Sequence, residues 1–120
     1  MSESSNNKPY DLEERTLLFA KDIRLFINTL KMTIANVEDS KQLVRSSGSI
    51  GANYIEANEA LSKKDFKFRV KISRKEAKES VYWLRLIAET NDLPNEKEEK
   101  DLIQEATELK KILSAIIDKS

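Results

Sequence analysis

Apolar residues recur along this chain every three or four positions, the spacing of one face of an α-helix. Leu12, Phe19, Ile23, Phe26 and Leu30 form a first such face. Asp11, Glu13 and Glu14 stand at its start, where carboxylates complement the helix dipole. The period fades between Met32 and Asp39, a stretch with β-branched residues and Asn36 that reads as a connection. A second helix is expected from about Glu38 or Asp39 to Ala60, with Leu43, Ser47, Ile50, Tyr54, Ala57 and Leu61 on one face. Ser62 has N-cap spacing to Asp65, so a third helix should start at Lys63 and run to about Thr90. Phe66, Val70, Ser73, Ala77, Val81, Leu84 and Ala88 are its inward face. Pro94 suits the start of a fourth helix, whose face is Leu102, Ala106, Leu109, Leu113 and Ile116, with Ile103, Ile112 and Ile117 beside it.

Four amphipathic helices on short connections pack most simply as an antiparallel up-down bundle. Composition agrees: with two glycines and two prolines in 120 residues, the chain lacks the turn residues of a many-stranded fold. The expected organisation is a polar, flexible N-terminal tail over residues 1–10 and one all-α four-helix bundle domain over 11–120. The apolar runs are far shorter than the roughly 20 residues that cross a bilayer, and the N-terminus has no apolar signal core. A cytoplasmic protein is the default expectation.

Both glycines fall in Ser46-Ser-Gly-Ser-Ile-Gly-Ala52, where almost every side chain is small. Each glycine costs a helix about 1 kcal/mol relative to alanine. Close backbone approach between helices is one reason to keep them; a Gly-x-x-Gly clamp on a nucleic acid is another. The apolar period runs through the glycines without a break, which favours close packing.

Histidine and cysteine are absent. That excludes imidazole acid–base chemistry, thiolate nucleophiles, and zinc or iron sites built on either residue. Two glycines cannot form a phosphate-binding Gly-rich loop. No cofactor or metal is expected, and an enzymatic role is not. Glu56 is the carboxylate with an apolar sequence neighbourhood. Turned inward it would need a cation, and Arg45 and Arg74 are the candidates for a structural polar network.

The formal net charge is zero, yet residues 63–90 carry 9 basic and 4 acidic side chains. Lys64, Lys67, Lys71, Lys75 and Lys78 recur every three or four residues and make one stripe of the third helix. Such a stripe can contact RNA or DNA phosphates, or can be a solvated face beside the acidic fourth helix. A second apolar stripe on the same helix, Phe68, Ile72, Tyr82, Trp83 and Leu86, exceeds what one bundle face needs and suggests an oligomer interface.

The segments Arg45-Ser-Ser-Gly-Ser-Ile-Gly-Ala-Asn-Tyr-Ile-Glu-Ala57, Ser62-Lys-Lys-Asp-Phe66 and Arg74-Lys-Glu-Ala-Lys-Glu-Ser-Val-Tyr-Trp-Leu84 carry a resemblance. They resemble the bacterial four-helix-bundle family labelled 23S ribosomal RNA intervening-sequence proteins, over roughly residues 12–90. The family is similar in turn to the accessory variability protein of diversity-generating retroelements, a strongly basic protein that works with a reverse transcriptase and nucleic acid. The resemblance implies a left-handed bundle assembled as a homopentamer. Together with the residues, it leads to the expectation of a non-enzymatic, homo-oligomeric binding module that meets RNA or DNA through the third helix. The alternative is a protein–protein scaffold with no nucleic-acid binding.

Overall fold

A computed structural model describes residues 11–120. The expected tail over residues 1–10 lies outside the described residues. The elements are α1 (Leu12–Ile27), α2 (Ile34–Asn58), α3 (Lys63–Thr90) and α4 (Glu96–Lys119). Each helix packs on the next, and α4 returns to α1, so the four make a closed all-α bundle. Cross-links between α1 and α2 run from Glu13–Asn58 to Arg24–Val44, and between α2 and α3 from Ser46–Ser80 to Asn53–Arg69. Numbers rise on one helix as they fall on its neighbour, so both pairs are antiparallel.

Three of the four helix starts are capped by side chains that accept orphan N–H groups. Asp11 accepts from Glu13 N, Thr33 from Asn36 N and Ser62 from Asp65 N. Asn95 makes no such bond; the first turn of α4 instead carries Glu96, Glu98 and Glu99. Pro94 precedes that helix within the connection and does not open it.

The second helix starts four or five residues earlier than the sequence suggests. Thr33 caps it, and Asn36 is inside it and buried. The Asn36 amide donates to Asn91 Oδ1 (2.8 Å) and to the Lys31 carbonyl (3.0 Å). Asn91 donates back to Asn36 Oδ1 (2.9 Å) and to the Ile87 carbonyl (2.8 Å). This reciprocal pair ties the start of α2 to the end of α3, and so satisfies an asparagine that in isolation reads as a loop residue. The helix ends at Asn58, before Ala60, and Leu61 is not in its face: it lies in the turn, 98% exposed. On α4, Ile117 and not Ile116 completes the buried face.

The inward faces otherwise meet largely as the periodicity implies, except that Leu30 is buried beyond the end of α1, and on α3 Ile87, absent from the expected face, is fully buried while Phe66, Val81 and Ala88 are half-buried. Phe19, Ile23 and Phe26 of α1, Leu43 and Ile50 of α2, Val70, Ala77, Leu84 and Ile87 of α3, and Leu102, Ala106, Leu109 and Leu113 of α4 form one core. Between α2 and α3 the core is made of small hydroxyl residues. Ser73 Oγ donates to the Ile50 carbonyl (2.7 Å), and Ser46 and Ser80 share a hydroxyl contact of 2.9 Å. All three serines are fully buried, and each is bonded to a partner.

The two glycines have different environments. A Cβ on Gly51 would lie 2.6 Å from Thr16 Oγ1 and 3.1 Å from Thr16 Cβ. Thr16 cannot easily yield: it is buried, β-branched, and bonded through its hydroxyl to the Leu12 carbonyl. A Cβ on Gly48 would meet only a terminal nitrogen of Arg24, at 3.3 Å. Gly51→Ala should therefore lower stability by about 1–2 kcal/mol, overpacking outweighing the helix-propensity gain. Gly48→Ala should be neutral or raise it by up to about 1 kcal/mol. Urea unfolding of both variants checks the opposite signs.

Glu99 is buried, and its Oε2 has no hydrogen-bond partner. Burial raises its pKa above the ordinary 4.5, and the neighbouring Glu96 adds to the rise. A carboxyl whose pKa is higher folded than unfolded binds its proton more tightly in the native state. Its charge therefore destabilises the fold as pH climbs through and above the ordinary value, and not below it. Glu99→Gln should raise the melting temperature at pH 7, and the gain should vanish below about pH 4. An equal gain at both pH values would assign the effect to something other than the charge.

Candidate nucleic-acid interface

The core face of α3 is one side of a 28-residue helix, which leaves its opposite side as a long external surface. Lys64, Lys71, Lys75 and Lys78 are exposed there and Lys67 is half-buried. Among the described residues none of the five is in an ion pair. The lysine stripe thus faces solvent and is not paired with the acidic helix.

Three acids of α4, Asp101, Glu105 and Glu108, are turned elsewhere. Arg15 of α1 holds Glu105 through two bonds, Nε to Oε2 at 2.7 Å and a terminal nitrogen to Oε1 at 2.9 Å, and Glu108 through a third at 2.9 Å. The Glu105 hydrogen bond, against a smaller opposing effect of burial, raises the Arg15 pKa further above its already high value. Asp101 pairs with Lys97 on its own helix.

The flank of α4 that meets α3 is marked by Arg74, whose guanidinium reaches Ser114 Oγ at 3.4 Å. Only residues 91–95 join α3 to α4 and the two helices pack on each other, so they too run antiparallel, and one turn further along α3 is one turn back along α4. Lys78 therefore stands opposite Lys110, with Lys111 beside it on the outer side. Asp118, a turn beyond Ser114, is the acid of that flank. The basic surface is consequently wider than the stripe. Sequence periodicity finds the α3 lysines, but Arg74, Lys110 and Lys111 join them only through the helix pairing.

The second apolar stripe divides in two. Ile72, Trp83 and Leu86 are half-buried, and Trp83 packs against the core. Phe68 and Tyr82 are each 59% exposed. The Tyr82 ring is held edge-to-face against Trp83, with centroids 5.0 Å apart. The Arg69 guanidinium lies 6.0 Å from the centre of the Phe68 ring and bonds Asn53. An open cleft beside Phe68, at the α2–α3 turn, is lined also by Glu56, Leu61 and Asp65. Further exposed apolar residues sit on α1: Leu17, Leu18 and Leu25, at 61%, 43% and 53%. The period of the inward face does not include them, since they lie on the outer side of the same helix.

The expected polar network forms with other partners. Glu56 is exposed on the cleft and does not reach Arg45 or Arg74. Arg45 instead bridges buried Glu76 (3.3 Å) and Glu79 (2.8 Å) across the α2–α3 seam. The Glu76 hydrogen bond is the largest influence raising the Arg45 pKa. The physical reason is rotational. Glu56 lies on the outer side of α2, whereas Glu76 shares the inward side of α3 with Ser73 and Ser80.

No helix among the described residues is long and apolar enough to cross a membrane, and those residues include no cluster of three or more acids placed to hold a metal ion. Among curated proteins, none matches the chain. One solved structure is similar over nearly its whole length: a protein of unknown function from the S23 ribosomal protein family of Bacteroides thetaiotaomicron. It is 34% identical, with a TM-score of 0.78, and the match covers 89% of this chain and 98% of that one. The family described as 23S rRNA-intervening sequence protein matches residues 10–115. With that coverage and the four-helix architecture, the chain belongs to the 23S rRNA-intervening sequence protein family.

Proposed function

We propose that this protein is a non-catalytic, homo-oligomeric module of the cytoplasm that binds RNA or DNA through phosphate contacts on the outer surface of α3. The observation that carries the reading is the state of the lysines. Four of the five are exposed, none is in an ion pair among the described residues, and two acids of α4, Glu105 and Glu108, are drawn to Arg15 on the other side of the bundle. Cations left unpaired on a rigid helix favour a polyanion at low salt and lose it as salt displaces the ligand. The contacts are to phosphate, so little sequence preference is expected.

Self-association is assigned to the exposed leucines of α1 and to the half-buried edge formed by Ile72, Trp83 and Leu86. Apolar side chains left in water on a small chain gain about 25 cal/mol for each Å² covered by a second copy. The family resemblance points to a homopentamer. A charge at Trp83 would damage the core packing as well as any interface, so the α1 leucines are the cleaner probe.

Fluorescence anisotropy with labelled RNA and DNA, titrated at low and physiological salt, tests the first reading. Lys71→Glu with Lys75→Glu should weaken binding at least about ten-fold and reduce the slope of log affinity against log salt by about 1.5. No binding even at low salt would leave the protein–protein scaffold as the surviving function. Light scattering tests the second reading. Leu18→Glu with Leu25→Glu should lower the solution mass toward the 13.8 kDa of one chain. An unaltered mass would place the interface elsewhere, and a monomeric parent protein would end the proposal of self-association.

A further inference from the structure

Lysines alone do not distinguish a duplex from a single strand. Phe68 and Tyr82 do. The two aromatics most exposed on this surface share the lysine arc of α3, and Phe68 also borders the cleft lined by Glu56, Glu59 and Asp65. Eighteen residues, five full turns, separate Lys64 from Tyr82, so these two share one line along α3; Phe68 lies about 40° round from it. Lys71, Lys75 and Lys78 fall between the two rings. Both rings are oriented by neighbours, Tyr82 by the edge-to-face contact with Trp83 and Phe68 by the Arg69 guanidinium. Each keeps 59% of its surface in water.

Resting on the phosphate-binding reading above, we propose that the ligand is single-stranded nucleic acid, with bases stacked on Phe68 and Tyr82 while the intervening lysines neutralise its backbone. A duplex keeps its base faces inside the stack, so two exposed rings add nothing to its binding. A single strand offers a π-face at every nucleotide, and stacking on aromatic side chains is independent of sequence. The rings are fourteen residues apart, about 21 Å along the helix. That distance spans about six nucleotides at roughly 3.4 Å per phosphate, and fewer in an extended strand. Trp83 is the sole tryptophan of the chain and touches Tyr82, so its fluorescence should respond when a base stacks there.

The test compares a labelled mixed-sequence single-stranded 12-mer with the duplex of the same sequence, on the full-length protein. The single strand should bind more tightly than the duplex and should change Trp83 emission. Phe68→Ala with Tyr82→Ala should weaken single-strand binding about ten-fold or more. The salt slope should stay as it is, because no phosphate contact is removed, and duplex affinity should not move. The lysine reversals, by contrast, change the slope. Duplex binding as tight as single-strand binding, or an unchanged single-strand affinity in the aromatic variant, would overturn the stacking inference and leave phosphate binding standing. A drop in solution mass of the aromatic variant would also overturn it, because the rings would then be covered by a second copy. Absence of binding to either probe at low salt would overturn both readings together.

Discussion

Gly51 lies against Thr16 with space for a hydrogen atom and no more. That contact fixes how closely α2 approaches α1. The opposite side of the same stretch of α2 fixes its approach to α3, where Ser46 meets Ser80 and Ser73 meets the Ile50 carbonyl. The close approach has a cost, since glycine and serine are poor helix residues and three hydroxyls must be buried. It is offset because every hydroxyl finds a partner and because tight packing brings long apolar side chains above and below into contact. The helix therefore acts as a spacer of set thickness. Where α3 sits, and hence which side of it faces water, follows from that spacing.

Charge is then distributed by the same packing. Closing α4 onto α1 brings Arg15 to Glu105 and Glu108 in a partly buried setting, where the bidentate geometry to Glu105 fixes the positions of both partners. Those two acids are thereby held away from the α3 lysines. Similarly, Arg45 is held to Glu76 and Glu79 on the far flank of α3. Among the described residues of a chain of zero formal charge, the ion pairs that the fold closes thus leave the α3 lysines unpaired. Net charge is a poor guide to electrostatic recognition when the acids are spent internally.

Much of this was legible in the sequence, and the limits have physical causes. The four helices, the Ser62 cap and most inward faces follow from period 3.6, which is a local property. The resemblance carried by the helix-two and helix-three motifs matched the family found. The misplaced start of α2 is different in kind. Asn36 reads as a loop residue because its amide competes with the backbone in isolation, and it is helical here because Asn91, fifty-five positions away, takes that amide. Glu56 failed for the opposite reason. An apolar sequence neighbourhood says nothing about which side of a helix a residue occupies. Arg74, Lys110 and Lys111 could not be joined from sequence, because their proximity is a consequence of helix register across the α3–α4 seam.

If both proposals hold, one helix serves a partner copy and a ligand together. Helix α3 has three sides beyond its buried one. Its α2 flank carries Ile72 and Trp83, its α4 flank carries Arg74 facing Ser114, and the lysines with Phe68 and Tyr82 occupy the arc between. A second copy covering the α2 flank would leave that arc open to a strand lying along the helix. In a ring of copies the arcs would repeat around the assembly, and a strand held by one protomer would lie close to the next. Weak, salt-sensitive contacts of about six nucleotides each would then add through effective concentration, not through any stronger single site. On this proposal, oligomerisation would multiply the affinity that one neutral 13.8 kDa bundle offers.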